Sequence, residues 1–149
     1  MGIAEEIKQE KFKSQFSKAV VNILYTNAWI NQQNAQLFKN YGLTTPQFNI
    51  LRILRGQHPK PATVNLLIDR MLDKSSNASR IVDKLEEKGL VERKQCSNDR
   101  RAVDVLISKK GLQLLKKMDN DMETWESSTC KITEEEAETL NFLLDKMRS

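Results

Sequence analysis

The chain has 149 residues, of which 39% are hydrophobic and 30% charged, a balance typical of one soluble, helix-rich globular domain and unlike that of a disordered chain. No run of about 18 apolar residues and no apolar stretch behind a basic N-terminus is visible, so we expect a cytoplasmic protein with no membrane partner. One histidine and two isolated cysteines argue against a metal site and against any cofactor. The sequence contains no glycine-rich phosphate loop, no Gly-x-Ser-x-Gly elbow and no HExxH motif, so we do not expect an enzyme.

The charge is segregated along the chain. The net charge is +4, and residues 60–110 carry twelve basic and eight acidic side chains, so this segment accounts for the whole excess. From Asp119 onward, the chain has nine acidic residues and only three basic ones. This distribution favours a polyanionic partner for the middle of the chain, and an ordinary solvated surface is the alternative.

The first predicted element is one long amphipathic helix over residues 4–40. Apolar side chains recur along it at spacings of three and four, at Phe12, Phe16, Ala19, Val20, Ile23, Leu24 and Ile30. Globular helices average about 11 to 12 residues, so this stripe is expected to pack against a second copy of the chain. The sequence therefore predicts a homodimer.

Two shorter helices are predicted next. Gly42 ends the long helix, and Thr44 with Gln47 fits a capping box that starts a second helix. That helix is expected to bury Phe48, Leu51 and Leu54. The proline-containing segment 56–61 is expected to end it and to act as a stiff connector. The third helix is expected to bury Val64, Leu67, Ile68 and Met71.

A fourth helix is predicted over residues 75–89, capped by Asp73 or Ser75 and stopped by Gly89. Its apolar face carries Ala78, Ile81, Val82 and Leu85. The N-terminal half of the opposite face is small, polar and basic, as in a second helix-turn-helix element that enters the major groove. The candidate DNA contacts on this helix are Ser75, Ser76, Asn77, Ser79, Arg80 and Lys84. An ordinary surface helix with capping serines is the alternative.

Two strands are predicted over residues 90–95 and 102–107, because β-branched residues alternate with polar ones. The turn between them places cations at or near the tip of a hairpin, where an arginine suits the narrow minor groove. The candidate DNA contacts on this wing are Asn98, Asp99, Arg100 and Arg101. The carboxylate of Asp99 can hold a neighbouring guanidinium in place. A solvated turn is the alternative.

Two helices end the chain. Ser108 is expected to cap the first, whose stripe is Leu112, Leu115, Met118, Met122 and Trp125. A capping box at Thr133 and Glu136 opens the second, which is expected to bury Ala137, Leu140, Leu144 and Met147. The order of elements predicts a mainly α fold with a small two-stranded β-hairpin wing. It is a single domain over residues 1–149, with a winged helix-turn-helix over 44–108 flanked by dimerisation helices over 4–40 and 109–147.

Three segments together resemble the signature of the MarR family. They are Leu43-Thr44-x-x-Gln47, the run from Ser75-Ser76 through Arg80, Lys88 and Gly89 to Arg93, and Asp99-Arg100-Arg101-x-x-x-Val105-x-Ile107-Ser108-x-x-Gly111. The resemblance implies a dimeric regulator that binds a pseudo-palindromic operator in double-stranded DNA. Such a regulator is usually a repressor released by a ligand or by oxidation. It also implies that Arg101 enters the minor groove and Arg100 contacts phosphate.

The resemblance further implies a small-molecule pocket where the dimerisation helices meet the DNA-reading part. Candidate lining residues are Tyr25, Trp29, Phe38, Phe48 and Met71, and the effector is expected to be small and aromatic or amphipathic. Aromatic residues at helical spacing are more often plain core, which is the alternative. No cysteine precedes Cys96, so peroxide sensing from the first helix is not expected. We interpret Cys96 as a spectator thiol, with a redox role as the alternative.

Two other functions fit the same architecture. The first is a helical, dimeric protein-interaction module that does not bind DNA, and the second is a non-specific architectural DNA binder. Three arginines distinguish the protein-interaction module from a DNA-binding regulator. An interaction module needs no cations on both the helix that would enter the major groove and the wing, where Arg80, Arg100 and Arg101 lie. Sequence preference discriminates the second, since salt dependence alone is common to both DNA binders.

Overall fold

The computed structural model describes residues 1–95 and 103–149, which form seven helices and three strands. In chain order these are α1 (Ile3–Glu6), α2 (Gln15–Lys39), α3 (Thr45–Gln57), β1 (Ala62–Thr63), α4 (Val64–Arg70), α5 (Ala78–Glu87), β2 (Val91–Gln95), β3 (Val103–Ile107), α6 (Lys109–Thr129) and α7 (Glu134–Arg148). The chain divides into two units, Met1–Leu114 and Leu115–Ser149. Among the described residues, no helix has both the length and the hydropathy to span a bilayer.

The long N-terminal helix predicted over residues 4–40 is in fact two helices, α1 and α2. Lys8 adopts a left-handed backbone with a φ of 55°, which ends α1. Ser14 is the N-cap of α2, and its side chain accepts the backbone N–H of Ser17 at 3.1 Å. The apolar spacing that runs through Phe12 hides this break, because periodicity carries no information about a local cap.

The remaining N-terminal helices follow their local signals. Thr44 and Gln47 form the predicted capping box of α3, and Gly42 has a φ of 72°. Leu51 and Leu54 of α3 are completely or almost completely buried. Ile68 of α4 is 41% exposed, so the prediction that it is buried is wrong, whereas Leu67 of the same helix and Met71, just after it, are buried.

The sheet has three antiparallel strands in the order β1-β3-β2. The predicted hairpin is confirmed, with Val91 opposite Ile107 and Gln95 opposite Val103. The third strand was not predicted. It is only two residues long, and Ala62 pairs with Val105, which lies far along the chain. A pairing of this kind leaves no period in the sequence to detect.

Most of the core of the first unit lies where α3, α4 and α5 pack together and against β3. Its completely buried members include Ile50, Leu51, Leu67, Val82, Leu85 and Val105. Ala78, Val82 and Leu85 of α5 are all buried, which confirms the predicted apolar face of that helix. This packing fixes the inner face of α5 and leaves its polar face outward.

The apolar face of α2 is exposed in the single chain. Phe16 is 84% exposed and Leu24 is 62% exposed. This exposure agrees with the expectation that the stripe is too large for its own chain to cover.

In the second unit, the predicted capping box at Thr133 and Glu136 opens α7. The prediction that α7 buries its apolar residues is wrong for the single chain, since Leu140 is 46% exposed and Met147 is 51% exposed. In α6, Leu115 and Met118 are buried as predicted.

Candidate nucleic-acid interface

The segment before α5 is a tight turn built on Asp73. Its Oδ1 accepts both the backbone N–H of Ser75, at 2.9 Å, and the Ser75 hydroxyl, at 2.6 Å. These two hydrogen bonds, the hydroxyl first, lower the pKa of the Asp73 carboxyl, and the Ser76 side chain adds to the effect. Asp73 is therefore ionised at neutral pH.

Asn77 is the N-cap of α5. Its Oδ1 accepts the backbone N–H of Arg80 at 3.1 Å, so the prediction that Asp73 or Ser75 caps this helix is wrong. The physical reason is that Asp73 already holds Ser75 in the preceding turn. Ser75 and Ser76 therefore precede the helix instead of forming its first turn.

The first turn of α5 presents the candidate reading residues to solvent. Ser79 and Arg80 are both exposed, and within residues 1–95 and 103–149 Arg80 makes no ion pair. Its backbone N–H is fixed by the Asn77 cap. The Arg80 guanidinium is thus free to contact a base edge or a phosphate.

Two of the three acidic residues in the second half of α5 are paired with cations. Lys84 lies 3.6 Å from Glu87, one turn further along the helix. Asp83 forms an ion pair with Arg93 of β2. Pairing reduces the repulsion that free carboxylates here would exert on a phosphate backbone.

Arg93 connects the sheet to α5, and no role was predicted for it from the sequence. Besides the ion pair with Asp83, its Nη2 donates to the Ser79 carbonyl oxygen at 3.2 Å. Its side chain is only 29% exposed, whereas Glu92 and Lys94 on either side of it are exposed. The sequence signal that could have identified Arg93 is a basic residue at a strand position whose side chain points inward.

Lys88 fixes the other end of α5. Its Nζ contacts the Gly42 carbonyl oxygen and donates to Gln47 Oε1 at 3.2 Å. Lys110 in turn donates to the Lys88 carbonyl oxygen at 3.0 Å. Helix α5 is therefore held at both ends, by Asn77 at its start and by the Lys88 contacts at its end.

The wing candidates Asn98, Asp99, Arg100 and Arg101, together with Cys96, lie outside the described residues. The strands on either side of them are paired up to Gln95 and Val103. Across the part of the chain that is described, no cluster of three or more potential metal ligands occurs.

The residues predicted to line a ligand pocket have different surroundings. Phe38 and Phe48 are buried and stacked, with ring centroids 4.2 Å apart and an angle of 21° between the rings. Tyr25 and Trp29 are 39% and 41% exposed on α2. Met71 faces an open cleft of about 580 Å³ between α2, α3 and the turn after α4. The cleft is lined by Asn27, Asn31, Ala35, Thr45, Pro46, Asn49, Met71, Leu72 and Asp73.

The order of α3, α4 and α5 followed by a β-hairpin defines a winged helix-turn-helix protein. A sequence model of the MarR family matches residues 43–103 of the chain. In this segment, and in the similar proteins described below, the chain resembles transcriptional regulators of the MarR family.

The comparisons extend beyond the matched segment. The chain is 26% identical to the HTH-type transcriptional regulator MgrA of Staphylococcus aureus over 127 residues, which cover 85% of this chain and 79% of MgrA. It is 29% identical to the transcriptional repressor MprA of Escherichia coli over 83 residues, which cover 56% of this chain and 47% of MprA. A MarR transcription factor from Planctomyces limnophilus is 26% identical, with a TM-score of 0.70 over 93% of this chain and 98% of that one.

Proposed function

We propose that this protein is a sequence-specific DNA-binding transcriptional regulator whose helix α5 enters the major groove. The observation that carries the proposal is Arg80, which is exposed and free of ion pairs among the described residues, in the first turn of a helix held at both ends. A helix-turn-helix protein reads bases with the N-terminal residues of this helix. The arginine can bond to the O6 and N7 of a guanine.

The polar residues around Arg80 take supporting roles. Ser75, Ser76 and Ser79 are suited to phosphate contacts, which form about half or more of the hydrogen bonds in such interfaces. Asn77 is suited to read an adenine through its carboxamide, and its Oδ1 would do so while still accepting the N-cap hydrogen bond from Arg80. Lys84 lies one turn after Arg80 and can reach the phosphate backbone of DNA if its exposed ion pair with Glu87 breaks.

The wing completes the proposed interface. By the family resemblance, Asp99 and Arg101 form a pair at the wing tip, Arg101 enters the minor groove and Arg100 contacts phosphate. Asn98 is a further candidate DNA contact on the wing. A narrow minor groove attracts arginine through its strong negative potential.

We further propose that the protein acts as a homodimer. Support comes from the exposed apolar residues of α2, such as Phe16 and Leu24, and of α7, such as Phe142 and Leu143. Large exposed apolar faces of this kind mark protein-protein interfaces. Two recognition helices related by a twofold axis would read half-sites about 34 to 36 Å apart, as in a pseudo-palindromic operator.

The proposed regulation is repression that ends when a small molecule binds. MprA, one of the similar proteins, is named a transcriptional repressor. The cleft beside Met71 and Asp73 supports a ligand-responsive regulator, since it adjoins the turn that leads into α5. A ligand that remodels this turn would change the presentation of α5 to DNA.

Fluorescence anisotropy tests the DNA-binding proposal. The labelled duplexes are the upstream region of the protein's own gene and a scrambled version of it, across a salt series. We expect tight, salt-dependent binding that prefers the first duplex, and a loss of roughly 1 to 3 kcal/mol, about 5- to 150-fold, in Arg80→Ala.

The matched control is Arg148→Ala, which also removes one exposed arginine, in this case from the last turn of α7. It should bind like the wild type. Equal affinities for Arg80→Ala and wild type would refute the role of α5. If wild type bound neither duplex at low salt, a protein-interaction module would be the better interpretation.

A further inference from the structure

The cleft between α2, α3 and the turn after α4 has an unusual chemical lining. Among the described residues around it, Asp73 is the only charged side chain. Three carboxamides, those of Asn27, Asn31 and Asn49, line the same cleft, and its apolar surface comes from Ala35, Pro46, Met71 and Leu72. Each of the three elements around the cleft thus contributes both polar and apolar groups, and the one charge in the described lining is negative.

We propose that this cleft binds a small organic cation, a protonated amine carried on an apolar body, and that the ammonium group pairs with Asp73. The inference rests on the proposed ligand-responsive function and gives its ligand a chemical class. A carboxylate or phenolate ligand is disfavoured, because it would bring a like charge to Asp73 with no cation in the described lining to offset it.

The nearest cation in sequence does not neutralise Asp73. Lys74 directs its Nζ to the carbonyl oxygens of Ile68 and Asp69, at the C-terminal end of α4. It therefore caps that helix, where a cation is favoured by the helix dipole. The low pKa of Asp73, which follows from its hydrogen bonds with Ser75, keeps the carboxylate charged at neutral pH.

The carboxamide of Asn31 supplies an additional acceptor for the ammonium group of the ligand. Asn31 donates through Nδ2 to Asn27 Oδ1 at 3.3 Å, which leaves Asn31 Oδ1 as an acceptor without a partner in the described part of the chain. Desolvated ammonium protons require such acceptors.

The apolar surface suits the body of the ligand. Met71 is buried, and the side chain of the next residue, Leu72, is 84% exposed. Contact between the exposed Leu72 side chain and water is unfavourable, and an apolar ligand that covered the side chain would remove that contact. A flexible methionine beside it can adapt to ligands of different shape.

Binding at Asp73 provides a route to DNA release. The same Oδ1 atom holds Ser75 through two hydrogen bonds, and Ser75 lies just before the Asn77 cap of α5. An ammonium group that attracts the carboxylate competes with the Ser75 donors. The turn over residues 73–76 then rearranges and moves Ser75 and Ser76, two of the proposed DNA contacts. Linkage requires that DNA in turn weakens binding of the cation.

The test is an NMR titration of the ¹⁵N-labelled full chain, without DNA, using three probes of matched shape. They are 2-phenylethylammonium, neutral 2-phenylethanol and anionic 3-phenylpropanoate. We expect the ammonium probe to bind most tightly and to shift the backbone amides of Ser75 and Ser76 and the side-chain amides of Asn31 and Asn49. Comparing three probes on the wild-type chain keeps the test independent of any variant's folding.

Two variants test whether the carboxylate of Asp73 is the group that pairs with the ammonium probe. Asp73→Asn should lose roughly two- to fivefold in affinity for the ammonium probe, the range expected for a solvent-exposed ion pair, with little change for the alcohol. The matched control Asp69→Asn removes a neighbouring exposed carboxylate and should bind like wild type.

Three outcomes would overturn the inference. They are equal or tighter binding of the anion, unchanged binding of the ammonium probe to Asp73→Asn, and no shift of the cleft signals with any of the three probes. Because DNA is absent, failure here does not affect the DNA-binding proposal. If the ammonium probe bound but the chain did not recognise DNA, the cleft assignment would stand without the proposed function.

Discussion

Replacing Gly111 with alanine should destabilise the protein, although alanine is the better helix former. A Cβ added at Gly111, in the first turn of α6, would lie 2.4 Å from the Leu90 carbonyl oxygen and 2.7 Å from Ile107 Cγ1. Carbon-oxygen contacts normally lie at about 3.3 Å or more, so the backbone would have to move by roughly 1 Å. The Leu90 carbonyl also accepts the backbone N–H of Ser108 at 2.9 Å, which resists that movement.

The sign of the effect follows from two opposing magnitudes. Overpacking a well-packed site costs about 1 to 3 kcal/mol, and the gain in helix propensity from glycine to alanine is about 1 kcal/mol. Because the clash is with a hydrogen-bonded backbone carbonyl, we expect the cost to lie in the upper part of that range, about 2 to 3 kcal/mol, and therefore a net loss of about 1 to 2 kcal/mol in the free energy of unfolding of Gly111→Ala. For a chain of this size that loss lowers Tm by about 2 to 8 °C.

Gly56→Ala is the matched control. Gly56 lies in the last turn of α3, its φ is not in the left-handed range, and no atom lies within 4 Å of an added Cβ. The same substitution should therefore stabilise the protein, by about 0.5 to 1 kcal/mol. Thermal and urea unfolding followed by circular dichroism, at one fixed chain concentration, measures both variants. A Gly111→Ala protein as stable as wild type would show that the backbone at Leu90 accommodates an added methyl group without cost.

Three further predictions concern the recognition helix and its supports. Arg93→Gln should weaken DNA binding about two- to fivefold and lower the free energy of unfolding by up to about 1 kcal/mol, because the half-exposed ion pair of Arg93 with Asp83 orients α5. Lys94→Gln is the control. Equal anisotropy curves for the two variants would exclude a role of Arg93 in orienting α5. Leu85→Ala should cost about 2 to 5 kcal/mol in urea unfolding, since Leu85 is completely buried, and a cost below about 1 kcal/mol would contradict the packing described here. The pKa of Asp73 is lower in the folded chain than the unfolded value of about 3.9, so its stabilising effect is fully present above that pH and is lost as the pH falls through the folded-state pKa. The Tm difference between wild type and Asp73→Asn should therefore shrink on acidification below about pH 4, and a difference that stays constant would contradict this assignment.

Features encoded by neighbouring residues were predictable from the sequence. The capping boxes at Thr44 and Thr133 each need only two residues three positions apart, and both are present. The apolar face of α5 and its polar N-terminal half follow from helical periodicity. The outward placement of Arg80 was predictable for the same reason.

Features that depend on distant partners were not predictable. The ion pair of Arg93 with Asp83 and the hydrogen bond of Lys88 with Gln47 join residues that only the tertiary fold brings together. Phe38 illustrates a different limit. Its helical spacing is the same for a core residue and for a pocket residue, and its burial against Phe48 comes from a stacking contact that helical spacing does not predict.

The short strand β1 has a consequence for folding order. Thr63 pairs with Asp104 in the sheet, and its Oγ1 also accepts the Leu66 backbone N–H at 3.1 Å as the N-cap of α4. One residue therefore joins the helix-turn-helix to a strand about forty positions away. Closing so long a loop has an entropic cost before any contact across it forms, so this pairing should come late on the folding pathway. In hydrogen exchange, the amide of Leu66 should then gain its protection together with the β1–β3 contacts, and later than the amides in the middle of α3.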